Sequence, residues 1–375
     1  MNRGDSNDPN GQATSKIRNE INEESLKKYL SQNLKNIDLP ITLSQFNLGQ
    51  SNPTYLITTS KGDKLVLRKK PPGELISKKA HAVEREFKVL KALQEGSKVP
   101  VPKVYHLCEN EEILGTPFYV MEFLKGRVLA DNNLPNIPLN QRPSYWFEAV
   151  RALSELHLTK FENIGLKDYG PNGNFYNRQF KVLSKISQFQ SEVFDQNGNQ
   201  PVPKLPRLED LPKIWSKFNL KDEVSVMHGD YKLDNIIFHV EECKVIGILD
   251  WELSTIGHPL YDLSTLLLWF YVPADKGGLD VKNSGLPPNF VDELIKYYCK
   301  LTNRPYPIQN WKACLGFSVF KYAVIFQGIA ARVALGQASS ANAKLVAENT
   351  VPMGELALKF FEQAELELNK SKNKL

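Results

Sequence analysis

The sequence predicts an α+β protein of two lobes, in which a small lobe of strands and one helix precedes a larger, mainly helical lobe. One observation is length, because 375 residues exceed the size at which a single hydrophobic core usually stops growing. The other is a change of pattern along the chain, from strand-like runs to helical periodicity. We therefore expect a first lobe over residues 21–124 and a second over residues 125–375.

Strand-like patterns dominate the first lobe. The runs ITLSQFNLG, PTYLITTS and DKLVLRKK predict three successive strands, the last after a turn at KGD, and PFYVMEFLKG predicts a further strand that ends in glycine. Leu26, Leu30 and Leu34 recur at helical spacing upstream, and a second helix is expected over about residues 78–95. Strands with a helix between them make this lobe α+β.

Helical periodicity dominates from about residue 143, in SYWFEAVRALSELHL, in PNFVDELIKYYCKL and in a final long pair. Residues 165–222 are rich in Asn, Gln and Pro with weaker periodicity, which indicates a partly helical insertion. The most apolar run, residues 317–335, is interrupted by Lys321, Gln327 and Arg332. We therefore interpret it as a buried core helix and expect no membrane span.

Composition restricts the partners and the compartment. A net charge of +5 is mild for this length, and the lysines are spread along the chain, so we expect no nucleic-acid partner. The four cysteines form no C-x-x-C pair and no zinc spacing, which predicts reduced, mostly buried thiols in an intracellular protein.

The two ends of the chain bear on localisation. Residues 1–20 are polar and lack an apolar segment, which predicts a disordered tail rather than a signal peptide. We therefore expect a cytoplasmic protein. The chain ends in Asn-Lys-Leu, a poor variant of the Ser-Lys-Leu peroxisomal address, so peroxisomal import is the alternative.

Polar side chains interrupt two apolar runs in the second lobe. VMHGDYKLDNIIFH contains the pattern H-x-D-x-x-x-x-N as His228, Asp230 and Asn235, and VIGILDWELSTIGHP brings Asp250 at the end of another run. Phosphoryl transfer from ATP needs a carboxylate that deprotonates a hydroxyl and hard oxygen ligands that hold Mg²⁺. Asp230 fits the first role, and Asn235 and Asp250 fit the second. An ordinary Asp/Asn turn would explain any one of these residues, but the full set favours phosphoryl transfer.

With these motifs the chain resembles the aminoglycoside-phosphotransferase-type kinases, within the wider protein-kinase-like fold that also includes choline kinases. The matching runs occur in the family's order over about residues 40–340: GQSNPTYLI, LVLRKKPPG, EREFKVLKAL, FYVMEFLKG, HGDYKLDNIIF and GILDWELSTIGHPLYDLS. The resemblance implies an antiparallel sheet with a helix in a nucleotide-binding N-lobe and a helical C-lobe for catalysis and acceptor binding. It also implies ATP and Mg²⁺ as cofactors. Among branches, the chain most resembles the phosphotransferase domain fused to certain acyl-CoA dehydrogenases.

Carried over to this sequence, the resemblance implies a set of nucleotide contacts. Ser51 and Asn52 would contact the ATP phosphates from the loop GQSN, together with backbone N–H groups. Arg68 would pair with the α- and β-phosphates, where the wider fold generally uses lysine, and Glu86 would pair with Arg68. Lys69 should point to the opposite face of the strand.

The run YVMEFLKG resembles the segment that holds adenine in such kinases. Met121 would lie behind the base, and the Glu122 carbonyl and Leu124 N–H would bond its edge. His228 is expected to brace the catalytic loop rather than to act as acid or base, because Asp230 already has that role.

We therefore expect an ATP- and Mg²⁺-dependent kinase that phosphorylates a hydroxyl of a small metabolite. The branch that it most resembles suggests a hydroxyacyl-CoA or a hydroxy acid. One alternative is a kinase for an aminoglycoside or a choline-type amino alcohol. Another is a nucleotide-binding pseudokinase scaffold, which arginine at position 68 leaves open.

Overall fold

The computed structural model describes residues 12–17, 21–35, 37–46, 52–71, 82–195, 197–198, 202–218, 220–338 and 342–372. The chain forms two compact units. The sheet unit comprises Met1–Gly170, Ser225–Thr255 and Lys282–Phe290, and the helical unit comprises Pro171–Val224, Ile256–Val281 and Val291–Leu375. The two units are not divided after residue 124, where the boundary between the lobes is expected. They do not test that boundary, which stays a prediction.

The strands are β1 (Thr14–Ser15), β2 (Ile41–Phe46), β3 (Thr54–Thr59), β4 (Lys64–Lys69), β5 (Val104–Cys108), β6 (Phe118–Glu122), β7 (Arg127–Val128), β8 (Ser225–Met227), β9 (Ile236–Phe238), β10 (Val245–Ile248) and β11 (Thr255–Gly257). The helices are α1 (Glu23–Asn33), α2 (Val83–Gly96), α3 (Glu111–Leu114), α4 (Arg142–Leu158), α5 (Phe175–Ser191), α6 (Leu211–Trp215), α7 (Pro259–Leu267), α8 (Phe290–Leu301), α9 (Trp311–Ala334), α10 (Ala343–Ala347) and α11 (Thr350–Lys372). Short 3₁₀ turns occur at Phe161–Ile164, Leu208–Asp210, Leu233–Asn235, Trp251–Leu253, Leu268–Phe270 and Ala274–Lys276.

The sheet unit is built on a six-stranded sheet in the order β1-β2-β3-β4-β6-β5, in which every neighbouring pair is antiparallel. Strand β4 lies inside this sheet, so its backbone is paired on both sides. A second antiparallel sheet has the order β10-β9-β7. The predicted α+β class and the antiparallel sheet are confirmed.

Helices cover opposite faces of the six-stranded sheet. Leu26 and Leu30 of α1 pack in one buried cluster with Leu67 of β4 and Phe118 of β6. The other face is met by α2, where the Phe87 ring lies 6.0 Å from the ring of the next β6 residue. Because side chains alternate along a strand, residues of β4 next to Leu67 point towards α2.

The core of the helical unit is aromatic. Rings of α5, α6, α9 and α11 contact one another with centroids 4.7–6.5 Å apart: Phe175, Tyr176, Phe180, Trp215, Phe317, Phe320 and Phe361. Gly316 permits close approach of α9 and α11, because a Cβ there would lie 2.9 Å from the Phe361 ring. The aromatic runs of the second half of the sequence therefore mainly form core.

Helix α9 is long and apolar enough to cross a membrane by length and composition, and it is the one such helix in the described part of the chain. Within its most apolar window, 78% of the residues are buried inside the protein. This is the burial expected of a core helix.

The six-stranded sheet contains two strands, β1 and β5, that the sequence did not predict. Strand β5 was missed, because its lead-in VPVPK is proline-rich and reads as a loop. The tail expected to be disordered is described only at residues 12–17, where Thr14 and Ser15 pair with the edge strand β2. An edge strand offers unpaired backbone groups, which a polar segment can use. The C-terminal Asn-Lys-Leu and residues 78–81 of the expected helix lie outside the described residues.

Candidate active site

Arg68 lies near the end of β4 and connects two carboxylates. Strand pairing places it opposite Thr54 of β3 and Tyr119 of β6. Its side chain is 9% exposed; Nε lies 2.7 Å from Glu86 Oε2, and Nη2 lies 2.5 Å from Asp250 Oδ1. The planar guanidinium therefore joins α2 to the segment after β10, which the single ammonium of a lysine would do less well.

The charges around Arg68 are unbalanced. Burial lowers the pKa of Arg68, but the carboxylates of Glu86 and Asp250 outweigh this and raise it above its usual value. Glu252 Oε2 lies 4.0 Å from Nη2, so one guanidinium faces three carboxylates, a formal net charge of −2. Such a cluster attracts a divalent cation and repels bare phosphate.

Glu86 is held by donors from two strands and a loop. Its side chain is 1% exposed, and it accepts hydrogen bonds from Asn52 Nδ2 at 2.6 Å and from the Tyr119 hydroxyl at 3.2 Å. Burial raises the pKa of Glu86, while Arg68 and these two donors oppose the rise. The structure thus brings Arg68 and Glu86 together in a fixed arrangement. Their part in nucleotide binding stays a prediction.

Asn52, one of the residues predicted to contact the ATP phosphates, is bonded inside the protein. It is fully buried, and its amide nitrogen is used by Glu86. The Asn52 amide nitrogen thus supports the Glu86 carboxylate, and its contact with the ATP phosphates stays a prediction. Ser51, the other residue predicted in this loop, lies outside the described residues.

Lys69 lies on the other face of β4, as the alternation of side chains predicted. Its Nζ donates to Thr116 Oγ1 at 2.7 Å, and its side chain is largely buried. Burial lowers the pKa of Lys69. This lysine is separated from Glu86 by the sheet, so Arg68 is the cation of the site.

The loop after β8 is fixed by its own backbone contacts. The buried His228 accepts the N–H of Asp230 at Nδ1, 3.2 Å away, and its Nε2 lies 2.7 Å from the Leu249 carbonyl. This arrangement requires the proton on Nε2, so His228 braces the loop. Gly229 has φ +84°, and a Cβ there would lie 2.3 Å from the Leu253 carbonyl oxygen, so the turn requires glycine.

Asp230 projects from this loop with its carboxylate 25% exposed. Asn235 Nδ2 donates to the Asp230 carbonyl at 2.9 Å and to Oδ2 at 3.2 Å. Lys232 Nζ lies 3.1 Å from the same Oδ2 and 3.6 Å from Asp234 Oδ2. A partly exposed carboxylate that is oriented by two donors can accept a proton from a hydroxyl brought to it.

Asp250 follows β10 in a left-handed conformation, with φ 66° and ψ 60°. This conformation is uncommon for residues other than glycine and often marks a functional position. The preceding residue, Leu249, donates its N–H to the Asn235 carbonyl at 2.8 Å. The backbone therefore holds the segments of Asp250 and Asn235 side by side.

Asn235 and Asp250 fit the donor set that Mg²⁺ prefers. Asn235 uses its amide nitrogen towards Asp230, so the amide oxygen is the atom that it can offer to a cation. The Asp250 side chain is 32% exposed, and one of its oxygens contacts Arg68. In the described part of the chain, His, Cys, Asp and Glu side chains form no group of three or more that could hold a metal. Mg²⁺ in nucleotide sites typically uses one or two protein ligands plus phosphates and water, which agrees with this pair.

We expect Asp250→Asn to lose most of the metal-dependent stabilisation by nucleotide, because it removes the charged ligand and one partner of Arg68. A tenfold weaker affinity removes about 1.4 kcal/mol of ligand stabilisation when ligand is in excess. The measurement is the melting shift with ATP, with and without Mg²⁺. Asp131→Asn is the matched control, since the Asp131 carboxylate accepts the backbone N–H and the side-chain amide of Asn133 within its own loop. An undiminished shift in Asp250→Asn would remove this residue from the metal site.

The residues predicted to hold adenine lie at the end of β6 and just beyond it. Met121 is 7% exposed and pairs with Val66 of β4. The Glu122 carboxylate accepts the Lys103 N–H at 3.1 Å, so its side chain is engaged away from any base edge. Leu124 packs directly against Gly247, since a Cβ at Gly247 would lie 2.2 Å from Leu124 Cδ1. Adenine contacts by the backbone here stay a prediction.

Sequence reasoning missed three groups in this site. The Tyr119 hydroxyl supports Glu86, Lys232 contacts Asp230, and Glu252 adds a third carboxylate near Arg68. The alternation of β6 places Tyr119 on the α2 face, which was the available signal for this residue. Lys232 lies inside the motif, but its direction could not be read from the sequence.

Comparison with known proteins identifies the family of this chain. The model of the phosphotransferase enzyme family matches residues 42–311. The chain is 38% identical over 350 residues to acyl-CoA dehydrogenase family member 11 of Homo sapiens, covering 90% of this chain and 43% of that protein. It is 38% identical over 349 residues to family member 10 of Mus musculus, covering 91% and 31%. The chain therefore spans less than half the length of these curated relatives.

Solved structures show the same fold. A protein from Ralstonia eutropha, provisionally named an aminoglycoside phosphotransferase, is 34% identical with a TM-score of 0.78, covering 92% of this chain and 99% of that one. The ethanolamine kinase of Plasmodium vivax is 17% identical with a TM-score of 0.55, covering 85% and 81%, which shows likeness of fold alone. From the family match and the shared fold, we conclude that this chain belongs to the phosphotransferase enzyme family and is an enzyme of the small-molecule kinase type.

Proposed function

We propose that this enzyme transfers the γ-phosphoryl group of ATP, together with Mg²⁺, to a hydroxyl of a small acyl compound, either a hydroxyacyl-CoA or a hydroxy acid. The observation that carries the proposal is the Asp230 carboxylate, oriented by Asn235 and Lys232 on a loop that is bonded to the segment of Asp250. The same sheet unit supplies Arg68 for phosphate.

The chain's own residues account for the proton and the phosphate charge. Asp230 accepts the proton of the acceptor hydroxyl. The hydroxyl oxygen forms a bond to the γ-phosphorus, and the bond between the γ-phosphorus and the oxygen that bridges to the β-phosphate breaks, releasing ADP. Arg68 balances charge on the remaining phosphates, held in place by Glu86. Mg²⁺, held by Asn235 and Asp250, would supply charge neutralisation at the phosphates.

Three observations support an acyl acceptor. The curated relatives carry the name acyl-CoA dehydrogenase over a longer chain that includes a region like this one. Between residues 252 and 345, nine Lys and Arg outnumber six Asp and Glu, which disfavours a polycationic sugar. Two tyrosine rings of the helical unit already lie beside a cation, since Lys312 lies 5.0 Å from the Tyr271 ring and Lys321 lies 4.8 Å from the Tyr261 ring, which disfavours these two rings as a cage for a quaternary ammonium.

A panel of acceptors tests this proposal. We expect phosphorylation of hydroxyacyl-CoAs or free hydroxy acids at least about tenfold above that of choline, ethanolamine or an aminoglycoside, equivalent to about 1.4 kcal/mol of discrimination. The measurement is ADP release with each acceptor at equal concentration, with product identified by mass. Asp230→Asn serves as the inactive control.

Each other outcome has a defined meaning. Turnover of choline or the aminoglycoside, with none of the acyl compounds, would contradict the acceptor class and leave the kinase class. Tight Mg·ATP binding without turnover of any acceptor would favour the pseudokinase scaffold. Absence of Mg·ATP binding would contradict the nucleotide assignment itself.

A further inference from the structure

Arg85, the residue before Glu86, points away from the phosphate site and towards a different part of the sheet unit. Its Nη2 donates to the Tyr169 carbonyl at 2.9 Å and lies 3.4 Å from the Ser254 carbonyl. Its guanidinium lies 4.3 Å from the centre of the Tyr169 ring. The first turn of α2 is thus attached on one side through Glu86 and on the other through Arg85.

Tyr169 connects this turn to the segment that follows Asp250. Its side chain is 2% exposed, and its hydroxyl lies 2.6 Å from Ser254 Oγ and 3.2 Å from the Arg85 carbonyl. Burial raises the pKa of Tyr169 to about 12, so the hydroxyl stays protonated at neutral pH. Because Ser254 Oγ donates its own proton elsewhere, the single hydroxyl proton of Tyr169 goes to Ser254 Oγ, four positions after Asp250, while Arg85 of α2 bonds the Tyr169 carbonyl and lies over its ring.

Ser254, which the Tyr169 hydroxyl contacts, is itself held by a hydrogen bond within its own segment. Ser254 Oγ donates to the Trp251 carbonyl at 2.5 Å, which closes the 3₁₀ turn that begins directly after Asp250. The chain from Asp250 to Ser254 is therefore short and bonded internally. A shift of Ser254 would move Asp250 with it.

The start of α2 depends on these contacts. Its N-cap residue, Ala82, makes no side-chain hydrogen bond to the helix, so the usual local restraint on a first turn is missing. Glu86 lies in that turn and pairs with Arg68, and Arg68 contacts Asp250. The position of the first turn of α2 therefore sets the distances between Glu86, Arg68 and Asp250.

We propose that Tyr169 is a positioning residue for the phosphate and metal site. Through Arg85 and Ser254 it holds the first turn of α2 against the segment of Asp250, and so keeps Glu86 and Arg68 in register with Asp250. The proposal rests on the proposed function, in which Arg68 and Asp250 bind Mg·ATP. It implies that contacts within the folded chain hold α2 in the position that Mg·ATP binding requires, without a separate activating event.

Tyr169→Phe tests the link, because phenylalanine keeps the ring beneath Arg85 and removes only the hydroxyl. We expect the Kd for Mg·ATP, measured by titration calorimetry, to rise about threefold to tenfold, the range for one lost hydrogen bond. The KM for ATP should rise in proportion while the KM for the acceptor stays constant. In a Glu86→Gln background, Tyr169→Phe should have less than about a twofold further effect, because both changes act through one element.

Tyr145→Phe is the matched control. Tyr145 is also 2% exposed, and its hydroxyl and ring likewise contact an arginine, Arg127, but it joins β7 to α4. The Tyr145→Phe variant should bind Mg·ATP with the same Kd as the wild type. Arg85→Ala, at an exposed position, provides a second variant if Tyr169→Phe folds poorly, and it should weaken Mg·ATP in the same way.

The outcomes separate this inference from the proposed function. If the wild type binds no Mg·ATP, both are overturned. If the wild type binds and the affinities of Tyr169→Phe and Arg85→Ala are unchanged, only the positioning role is overturned. A lower melting temperature with unchanged Kd would also overturn it, since that would be a purely structural effect. Additive effects with Glu86→Gln would show that Tyr169 acts by another route.

Discussion

Replacing Asp230 with asparagine is expected to lower kcat by about 10²- to 10⁴-fold, the usual contribution of a positioned general base. The change keeps the size of the side chain and an oxygen for Asn235 and Lys232 to contact, so the loop should keep its conformation. It removes the basic carboxylate that accepts the hydroxyl proton. Mg·ATP affinity should change little, because Asp230 is not one of the groups expected to hold phosphate. Single-turnover ADP release and calorimetric binding would measure the two quantities separately.

Asp234→Asn is the control in the same loop. Asp234 shares Lys232 with Asp230, at 3.6 Å, and its side chain is 13% exposed. Its loss should reduce kcat far less than the loss of Asp230, since Asp230 is the carboxylate predicted to accept the hydroxyl proton. Equal losses in both variants would mean that the charge of the loop matters and that Asp230 is not the base.

The part of the site that lies in one sequence segment could be predicted well. His228, Asp230 and Asn235 are neighbours in the chain, and their spacing carries the chemistry. The contacts of His228 with the Asp230 N–H and the Leu249 carbonyl agree with the bracing role inferred for it. The register of β4 was also predictable, because strict alternation separates Arg68 from Lys69.

The remaining contacts join positions that are far apart in the chain. Asn52 is fully buried against Glu86, 34 positions away, and nothing in the loop GQSN indicates that contact. Tyr169 and Ser254 are 85 positions apart, and no sequence pattern relates the two. Such contacts depend on how α2 packs against the segment after β10. That packing is a property of the tertiary structure and produces no periodic pattern in the local sequence.

Loss of the Arg68 guanidinium is expected to destabilise the fold as well as to abolish clamping of phosphate. Arg68→Ala leaves Glu86, 1% exposed, without its cation, and breaking a buried ion pair in this way costs about 3–5 kcal/mol. The free energy of unfolding from urea titration would measure the first effect, and Mg·ATP calorimetry the second. Arg68→Lys should be milder in both, because it keeps a positive charge near Glu86.

The double variant Arg68→Met with Glu86→Gln separates the two effects. It removes both charges. The glutamine oxygen can accept from Asn52 and its NH2 group can donate to the Tyr119 hydroxyl, so the double variant should recover most of the lost stability while Mg·ATP binding stays weak.

In Arg68→Ala alone, burial keeps the folded pKa of Glu86 above its unfolded value, now without Arg68 to oppose the rise. A raised pKa of an acid means that the folded state binds the proton more tightly. The stability of Arg68→Ala should therefore increase as pH falls from 8 towards the unfolded pKa of about 4.3, and decrease as pH rises through the folded pKa. Urea titration of Arg68→Ala and of the double variant at several pH values would measure this. If Arg68→Ala had no steeper pH dependence than the double variant, Glu86 would not be the group that carries the buried charge.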